Sequence, residues 1–287
     1  MHQPAYDRLI WLRSIQNPDG GWGYHEGTQS WLEPTLYALM AFLAWDAPEE
    51  DVLHAWSYAC GLQRADGSWK ASRNVDESHW SGSLCMNIAL RRGPPGELFA
   101  RGLHWLLGAR GSEGRLTARL GRLLDPSAVE YDPTLCGWPW TAGTNSWIEP
   151  TCHALIALAR AREIADSPYV RSRLDQGRKL LLDRRCRDGG WNYGNRRVRG
   201  YDLPGYPETT ALALLALTAC GEPNMEGMIT RAKSFYNEPG ASNLARAWLS
   251  IALRAAGHPV ELEETRRGTG IMTAALETIA WSGRGFP

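Results

Sequence analysis

Three glutamates stand one or two residues before a threonine at the start of apolar segments. Their sequences are Glu33-Pro34-Thr35, Glu149-Pro150-Thr151 and Glu208-Thr209-Thr210. A carboxyl group acts as a general acid or base when burial or a neighbouring charge raises its pKa. The same glutamates also fit helix capping, because Ser30 and Ser146 stand three residues before Glu33 and Glu149, as in a capping box. Capping is the interpretation that we favour for Glu33 and Glu149.

A second acidic group precedes another apolar segment. Asp76 and Glu77 are followed closely by His79 and Trp80. In a catalytic interpretation, this acid pair and its histidine lie at the mouth of a cavity. In the alternative interpretation, which we favour, the acids belong to a solvated loop and Ser78 caps the next helix.

Aromatic residues and one more acid lie close together between residues 131 and 140. Tyr131-Asp132 and Trp138-Pro139-Trp140 form this group. Aromatic faces stabilise cations, so such a lining suits a carbocation intermediate, and Asp132 is a further candidate acid. The alternative is a loop that needs aromatic anchors to stay ordered.

The elements that must position these residues come from a repeated motif, Gln-x-x-x-Gly-x-Trp. It occurs as Gln16, Gly20 and Trp22, as Gln63, Gly67 and Trp69, and with arginine first as Arg185, Gly189 and Trp191. A fainter copy has Arg110, Gly114 and, in the tryptophan position, Leu116. We expect the Gln to donate to the last carbonyls of a helix, the Gly to form the turn, and the Trp to pack back onto a neighbour.

Amphipathic and fully apolar segments alternate between these motifs, which predicts two concentric layers of helices. The amphipathic segments lie near 5–16, 51–62, 97–109, 169–185 and 225–236. The apolar segments lie near 36–45, 81–91, before 163, 208–220 and 242–256, and the tail from 268 adds one more helix. We expect one domain over residues 1–287, with an insertion at about 111–146 that marks the binding side.

The repeated Gln-x-x-x-Gly-x-Trp motif after amphipathic helices resembles the repeat of squalene–hopene and oxidosqualene cyclases. Protein prenyltransferase β subunits share the same fold. The resemblance implies an all-α protein, an α/α toroid of about five to six concentric helix pairs, closed into a ring around an apolar, Trp-rich central cavity. It also places Glu208 at the middle acid of the cyclases' Asp-x-Asp-Asp-Thr-Ala motif, with Tyr206 and Thr209 at the flanking acids.

The function implied by this resemblance is protonation-initiated cyclisation or isomerisation of an isoprenoid or another apolar substrate. The expected catalytic residues are Glu208, Asp76 and Asp132. The expected substrate-binding residues are Trp31, Trp80, Trp138, Trp140, Trp147, Tyr206, Glu33 and Glu149. No metal or cofactor is predicted.

Three alternatives stay open. The first is a non-catalytic toroid that binds a lipid or an isoprenoid. The second is a carbohydrate-active α/α-barrel enzyme, which requires two carboxylates facing each other across a cleft. The third is a zinc-dependent relative of the prenyltransferases, for which Asp132, Cys136 and His153 offer suitable residue types.

Composition excludes other classes of protein. Lys and Arg total 31 and Asp and Glu total 31, so the formal net charge is zero and nucleic acid is not expected as a partner. The 6 cysteines are scattered and fit a reducing compartment. The start is not a signal peptide and residues 36–45 are too short to span a bilayer, so we expect a cytoplasmic protein. Peripheral membrane contact and the oligomeric state stay open.

Overall fold

The predicted alternation of apolar and amphipathic segments becomes an inner and an outer layer of helices. The computed structural model describes residues 2–92, 96–113, 130–264 and 270–287. The helices in these ranges are α1 (Gln3–Ser14), α2 (Leu32–Ala44), α3 (Glu49–Cys60), α4 (Gly82–Arg91), α5 (Glu97–Gly108), α6 (Ile148–Arg162), α7 (Pro168–Asp183), α8 (Pro207–Cys220), α9 (Glu226–Tyr236), α10 (Asn243–Ala255) and α11 (Ile271–Ser282).

The inner helices form a closed ring. Helices α2, α4, α6, α8, α10 and α11 pack side by side in that order, and α11 packs against α2. The outer helices α1, α3, α5, α7 and α9 cover the seams of this ring. The α/α toroid and its closure, both expected from the resemblance, are therefore confirmed, and the tail helix expected after residue 268 is the one that closes the ring.

Burial explains which helices are inner. In α2, every residue from Pro34 to Phe42 is buried, and in α8 the same holds from Thr209 to Leu217. The outer helix α9 buries only Met228, Ala232 and Phe235. A helix that is apolar all round requires neighbours on every side, and only the ring provides them.

Each repeated tryptophan joins the end of an outer helix to the start of the next inner helix. The indole Nε1 of Trp22 donates to the carbonyl oxygen of Leu12 at 2.8 Å, near the end of α1. The backbone N–H of Trp22 donates to Thr35 Oγ1 at 2.9 Å, in the first turn of α2. Trp191 makes the equivalent bonds. One side chain therefore satisfies an otherwise unpaired helix-end carbonyl and fixes where the following helix begins.

The Gln and Gly of the motif hold the turn itself. Gln16 Nε2 donates to the carbonyl oxygen of Gly20 at 2.8 Å, so the prediction that this glutamine caps its own helix is wrong. Gly20 has a φ of +90°, which favours glycine. A Cβ atom there would also lie 2.5 Å from the backbone oxygen of His54 in α3. The turn therefore has to be glycine for two independent reasons.

The third copy of the motif differs from the sequence prediction. Trp138, and not Leu116, occupies the tryptophan position, because its Nε1 donates to the carbonyl oxygen of Leu106 at 2.8 Å. Its backbone N–H donates to Thr151 Oγ1 at 3.0 Å. Gly114 and Leu116 lie outside the described residues. The insertion thus separates this tryptophan from its outer helix in sequence while the contact is kept.

Two short antiparallel hairpins, which the sequence analysis did not predict, lie in the loops of the described ranges. They are β1 (Lys70–Ser72) with β2 (Val75–Ser78), and β3 (Arg197–Val198) with β4 (Tyr201–Asp202). Within those ranges, every helix is too short or too polar to cross a lipid bilayer. In the part of the chain that the structure describes, the strands therefore lie in the connections between helices.

We call the contact in which one tryptophan joins an outer helix to the next inner helix the clip. The clip predicts a difference between two fully buried tryptophans. Trp22 donates its indole N–H to Leu12, whereas Trp69 Nε1 has no hydrogen-bond partner among the described residues. Both Trp22→Phe and Trp69→Phe remove the same ring volume, but only the first also leaves a buried carbonyl unpaired. We expect Trp22→Phe to lower the free energy of unfolding by about 1–2 kcal/mol more than Trp69→Phe does. Urea denaturation followed by circular dichroism measures this, and equal losses would contradict the role of the clip.

Candidate functional site

Three inner helices begin in the same way, at one end of the ring. Their N-cap residues are aromatic and extended, namely Trp31 for α2, Trp147 for α6 and Tyr206 for α8. The residues two positions later are Glu33, Glu149 and Glu208. We call this end of the ring, lined by the three glutamates, the mouth.

The capping-box interpretation of Glu33 and Glu149 is wrong. Neither helix has a side-chain cap, and the N-cap residues are tryptophans instead of Ser30 and Ser146. Ser30 Oγ donates to Asp19 Oδ1 at 2.6 Å, and Ser146 Oγ donates to the carboxylate of Glu113 at 3.0 Å. The serines therefore hold the preceding turns, and the glutamates are left to face the mouth.

The three carboxyl groups lie close enough to affect one another's ionisation. Burial first, and then the charges of Glu33 and Glu208, raise the pKa of Glu149 to about 8. Burial also raises the pKa of Glu33, against the opposing effect of a hydrogen bond from Tyr24. At neutral pH, Glu149 is therefore mostly protonated.

Hydrogen bonds distinguish the three carboxyl groups. Tyr24 Oη donates to Glu33 Oε2 at 2.6 Å, and Ser242 Oγ donates to Glu208 Oε1 at 3.2 Å. Within the described ranges, the carboxyl of Glu149 makes no hydrogen bond or ion pair. The mouth thus contains one protonated carboxyl that is available to a ligand, beside two carboxyls that accept a hydroxyl donor.

The floor of the mouth is one helical turn below the glutamates. Tyr37 and His153 follow Glu33 and Glu149 by four residues, and Trp248 of α10 meets them across the ring. Tyr37 Oη lies 3.3 Å from His153 Nε2, and the ring centroids of Tyr37 and Trp248 are 5.8 Å apart. Phe286 packs below, 6.0 Å from the His153 ring.

These floor side chains fill the axis of the ring. Tyr37, His153, Trp248 and Phe286 are all buried, and burial lowers the pKa of His153 to about 3, so the ring is neutral. The deep, Trp-rich central cavity expected from the sequence is therefore not open at this level. The mouth therefore has carboxyl groups on its wall and closely packed aromatic rings below.

The aromatic residues predicted to bind substrate lie in two separate places in the structure. Trp31, Trp147 and Tyr206 lie at the mouth as N-cap residues. Trp80 and Trp140 line a neighbouring cavity of about 290 Å³, which we call the Trp pocket. Trp138 also lines it, but this side chain is only 3% exposed and its N–H is used by the clip.

Sequence analysis missed four residues of the mouth, which are Tyr24, Tyr37, Tyr193 and Ser242. A signal for two of them was present, because an aromatic residue follows the clip tryptophan by two positions in Trp22-x-Tyr24, Trp138-x-Trp140 and Trp191-x-Tyr193. The ring centroid of Tyr24 lies 6.0 Å from that of Trp31, and that of Tyr193 lies 5.4 Å from that of Tyr206. This repeated aromatic pair therefore frames the mouth on two sides.

Asp76 and Asp132 make their contacts elsewhere. Asp76 is exposed in β2, where Lys70, at 3.1 Å, and Arg64 hold the pKa of its carboxyl below the ordinary value. Asp132 is exposed in a loop and accepts hydrogen bonds from the backbone N–H and the hydroxyl of Thr134. A carboxylate whose pKa is lowered, as that of Asp76 is, is a poor proton donor. Asp132 belongs to a loop outside the mouth, so we leave both residues outside the proposed site.

The residues of the zinc alternative lie in different surroundings. His153 is buried on the axis, whereas Cys136 Sγ donates to the carbonyl oxygen of Gly111 at 3.5 Å in a loop. Among the residues that the structure describes, no group of three or more His, Cys, Asp or Glu side chains could hold a metal ion.

Comparison with known proteins gives the fold and no family. Neither a protein-family model nor a curated protein sequence matches the chain. Among solved structures, it is similar to an α-1,6-mannanase of Salegentibacter (10% identity, 98% of each chain covered, TM-score 0.66). It is also similar to endoglucanase Cel10, a family 8 glycosyl hydrolase from Klebsiella pneumoniae (13% identity, 97% of this chain and 98% of that one, TM-score 0.61).

A third similar structure is the type II terpene cyclase MstE from Scytonema. Its identity is 16%, the alignment covers 98% of this chain and 77% of that chain, and the TM-score is 0.58. At such low identities, these likenesses show that the chain has the α/α toroid fold shared by glycoside hydrolases and terpene cyclases. They do not show which chemistry it performs.

The raised pKa of Glu149 predicts a pH-dependent loss of stability. Because the folded protein holds this proton up to about pH 8 and the unfolded chain loses it near pH 4.5, the free energy of unfolding falls as pH rises between these values. Glu149→Gln does not ionise and escapes this loss. Relative to wild type, we expect the free energy of unfolding of this variant to gain on the order of 4 kcal/mol between pH 5 and 8.5.

Urea denaturation at several pH values measures this difference. Glu97→Gln is the matched control, because Glu97 occupies the first turn of an outer helix and its side chain is 86% exposed. Parallel stability curves for wild type and Glu149→Gln would contradict the protonated state of Glu149.

Proposed function

We propose that the mouth is the active site of a glycoside hydrolase and that Glu149 is its general acid. The observation that carries this proposal is a carboxyl whose pKa is raised to about 8 by burial and then by the charges of two other carboxyls. Cleavage of a glycosidic bond needs an acid that is protonated near the working pH to protonate the leaving oxygen, and a second carboxylate to act as base or nucleophile. The glutamates of the mouth supply both the acid and the second carboxylate. They occupy equivalent positions on three inner helices.

Glu33 is the second carboxylate in this proposal. Burial raises the pKa of Glu33, and the hydrogen bond from Tyr24 opposes that rise and favours the ionised form. Once ionised, this carboxylate can activate water or attack the sugar carbon. Glu208 contributes the further negative charge that keeps Glu149 protonated. Each of the three glutamates therefore has a role that follows from its surroundings.

Aromatic side chains at the mouth suit a sugar ring. Tyr24, Trp147, Tyr193 and Tyr206 are all exposed there, and such rings combine an apolar face with a polar edge. A sugar ring likewise combines an apolar face with a polar edge. The similar mannanase and endoglucanase structures support this assignment at the level of the fold.

Terpenoid cyclisation is the second candidate. It is favoured by the aromatic floor, since Tyr37, Trp248 and Phe286 present faces that stabilise cations, and by the fold likeness to MstE, whose structure contains geranylgeranyl dihydroxybenzoate. Two observations weigh against it. An acid with a pKa of about 8 is weak for protonating an alkene, and the axis is filled where a long hydrocarbon would lie. A lipid-binding toroid without catalysis meets the same steric objection.

The decisive experiment offers both classes of substrate to the pure protein. β-1,4-glucan and α-1,6-mannan oligosaccharides are assayed by released reducing sugar, and squalene, oxidosqualene and prenyl diphosphates by gas chromatography with mass detection. We expect sugar release, and we expect Glu149→Gln to lower it by about 10²–10⁴-fold while Glu97→Gln leaves it unchanged. Cyclic products without sugar release would replace our proposal with the second candidate.

The pH profile tests the division of roles between the glutamates. The rate should fall as pH rises through about 8, when Glu149 loses its proton. Because burial raises the pKa of Glu33 and the hydrogen bond from Tyr24 opposes that rise, Tyr24→Phe should move the acid limb of the profile to still higher pH. Ser242→Ala removes the equivalent hydroxyl beside Glu208 and should leave the acid limb in place. If the acid limb shifted in Ser242→Ala and not in Tyr24→Phe, the base would be Glu208 and not Glu33.

A further inference from the structure

The Trp pocket lies beside the mouth and is not used by the proposed chemistry. Its cavity of about 290 Å³ lies between the outer helix α5 and the inner helices α4 and α6. Pro150 lines it, directly after Glu149 in the chain. The Trp pocket and the acid at the mouth therefore share the first turn of α6.

The walls of the Trp pocket combine aromatic faces with neutral polar groups. The rings of Trp80 and Trp140 meet edge to face, with centroids 5.1 Å apart, and Trp105 adds a third indole. Ser83 and Thr141 lie among the lining residues. A ring-shaped ligand with hydroxyl groups matches this lining in size and polarity.

The histidine of the pocket carries no charge. Burial lowers the pKa of His79 to about 4, and its Nδ1 lies 2.7 Å from Ser81 Oγ. His79 therefore offers hydrogen bonds to a ligand but no positive charge at neutral pH. Any charge recognition in the pocket has to come from another residue.

Arg110 supplies that charge. It is exposed at the edge of the pocket, and its guanidinium makes no hydrogen bond or ion pair within the described part of the chain. Arg173 lies near enough that burial and then the charge of Arg110 lower its pKa to about 9. Arg173 itself donates to backbone oxygens, including those of Cys136 and Ala109.

Carboxylates near this pair of arginines are already engaged. Glu113 is fully buried, accepts from Arg184 at 3.3 Å and also accepts from the backbone N–H of Ser146 at 2.6 Å. The positive charge of Arg110 is therefore left for an anionic ligand at the edge of an aromatic pocket.

We propose that the Trp pocket binds a ring that carries a carboxylate, with the ring against Trp140 and the carboxylate on Arg110, while the buried Trp80 supports Trp140 from behind. Resting on the proposed function, this makes the preferred substrate an oligosaccharide that carries a uronic acid residue beside the sugar in the mouth, with neutral oligosaccharides as weaker substrates. An aromatic carboxylate also combines a ring with a carboxylate, and the experiment below distinguishes it from a uronic acid.

Isothermal titration calorimetry on the wild-type protein compares ligands that differ in one group. Methyl glucuronoside carries a carboxylate where methyl glucoside carries a hydroxymethyl group, and 3,4-dihydroxybenzoate represents the aromatic source. We expect methyl glucuronoside to bind about tenfold more tightly than methyl glucoside, as for a charge-assisted hydrogen bond. If dihydroxybenzoate binds more tightly than methyl glucuronoside, the Trp pocket is still a carboxylate site, but its ligand is an aromatic carboxylate and not a uronic acid.

Two variants and a control locate the binding. Arg110→Gln should bring the affinity for methyl glucuronoside down to that for methyl glucoside, and Trp140→Ala should weaken both. Arg101→Gln, at an exposed arginine of α5, the helix that ends just before Arg110, should change neither. Equal affinities in wild type, no effect of Arg110→Gln, or no binding of either carboxylate would overturn the proposal. Because these ligands are not cleaved, failure of the hydrolase proposal leaves this result unaffected.

Discussion

The hydrogen bond from a buried indole N–H to the last carbonyls of an outer helix is the interaction on which this toroid depends. In three copies, made by Trp22, Trp138 and Trp191, the same tryptophan also bonds through its backbone to a threonine in the next inner helix. The end of one helix and the start of the next are therefore fixed by one residue. Because the N-cap residue and its glutamate follow directly, this clip also sets where the carboxyl groups of the mouth lie.

The mouth is asymmetric because the repeats have diverged. Where the clip is complete, the inner helix has an aromatic N-cap and a glutamate two residues later. At the equivalent positions of α4, α10 and α11, the residues are Ser83, Leu244 and Met272. Three of the six inner helices thus place a carboxyl group on the rim, while α4 places a serine there and the adjacent α10 and α11 place apolar side chains there. A ring of similar helices has in this way acquired one chemically distinct side.

The fold could be predicted from sequence because helix period and the repeated motif are local signals. The observed helices begin and end within a few residues of the predicted segments in most cases. The position of Trp138 could not be predicted in the same way, since the insertion removed the spacing that identifies the clip. The glutamates looked like separate helix caps because their mutual approach exists only after the ring has closed, and no spacing in the chain encodes that distance.

The protonation state of Glu149 distinguishes two possible roles of this side chain, which are helix capping and proton transfer. A carboxylate in the first turn of a helix is stabilised by the helix dipole by about 0.3–1 kcal/mol, which favours ionisation. Each pKa unit corresponds to about 1.4 kcal/mol, so a rise from 4.5 to about 8 outweighs the dipole several-fold. A helix cap gains nothing from this arrangement, since capping is strongest when the carboxyl is ionised. Burial beside two other carboxyls instead produces a group that holds a proton at neutral pH and can deliver it to a ligand, which is the property required of a general acid.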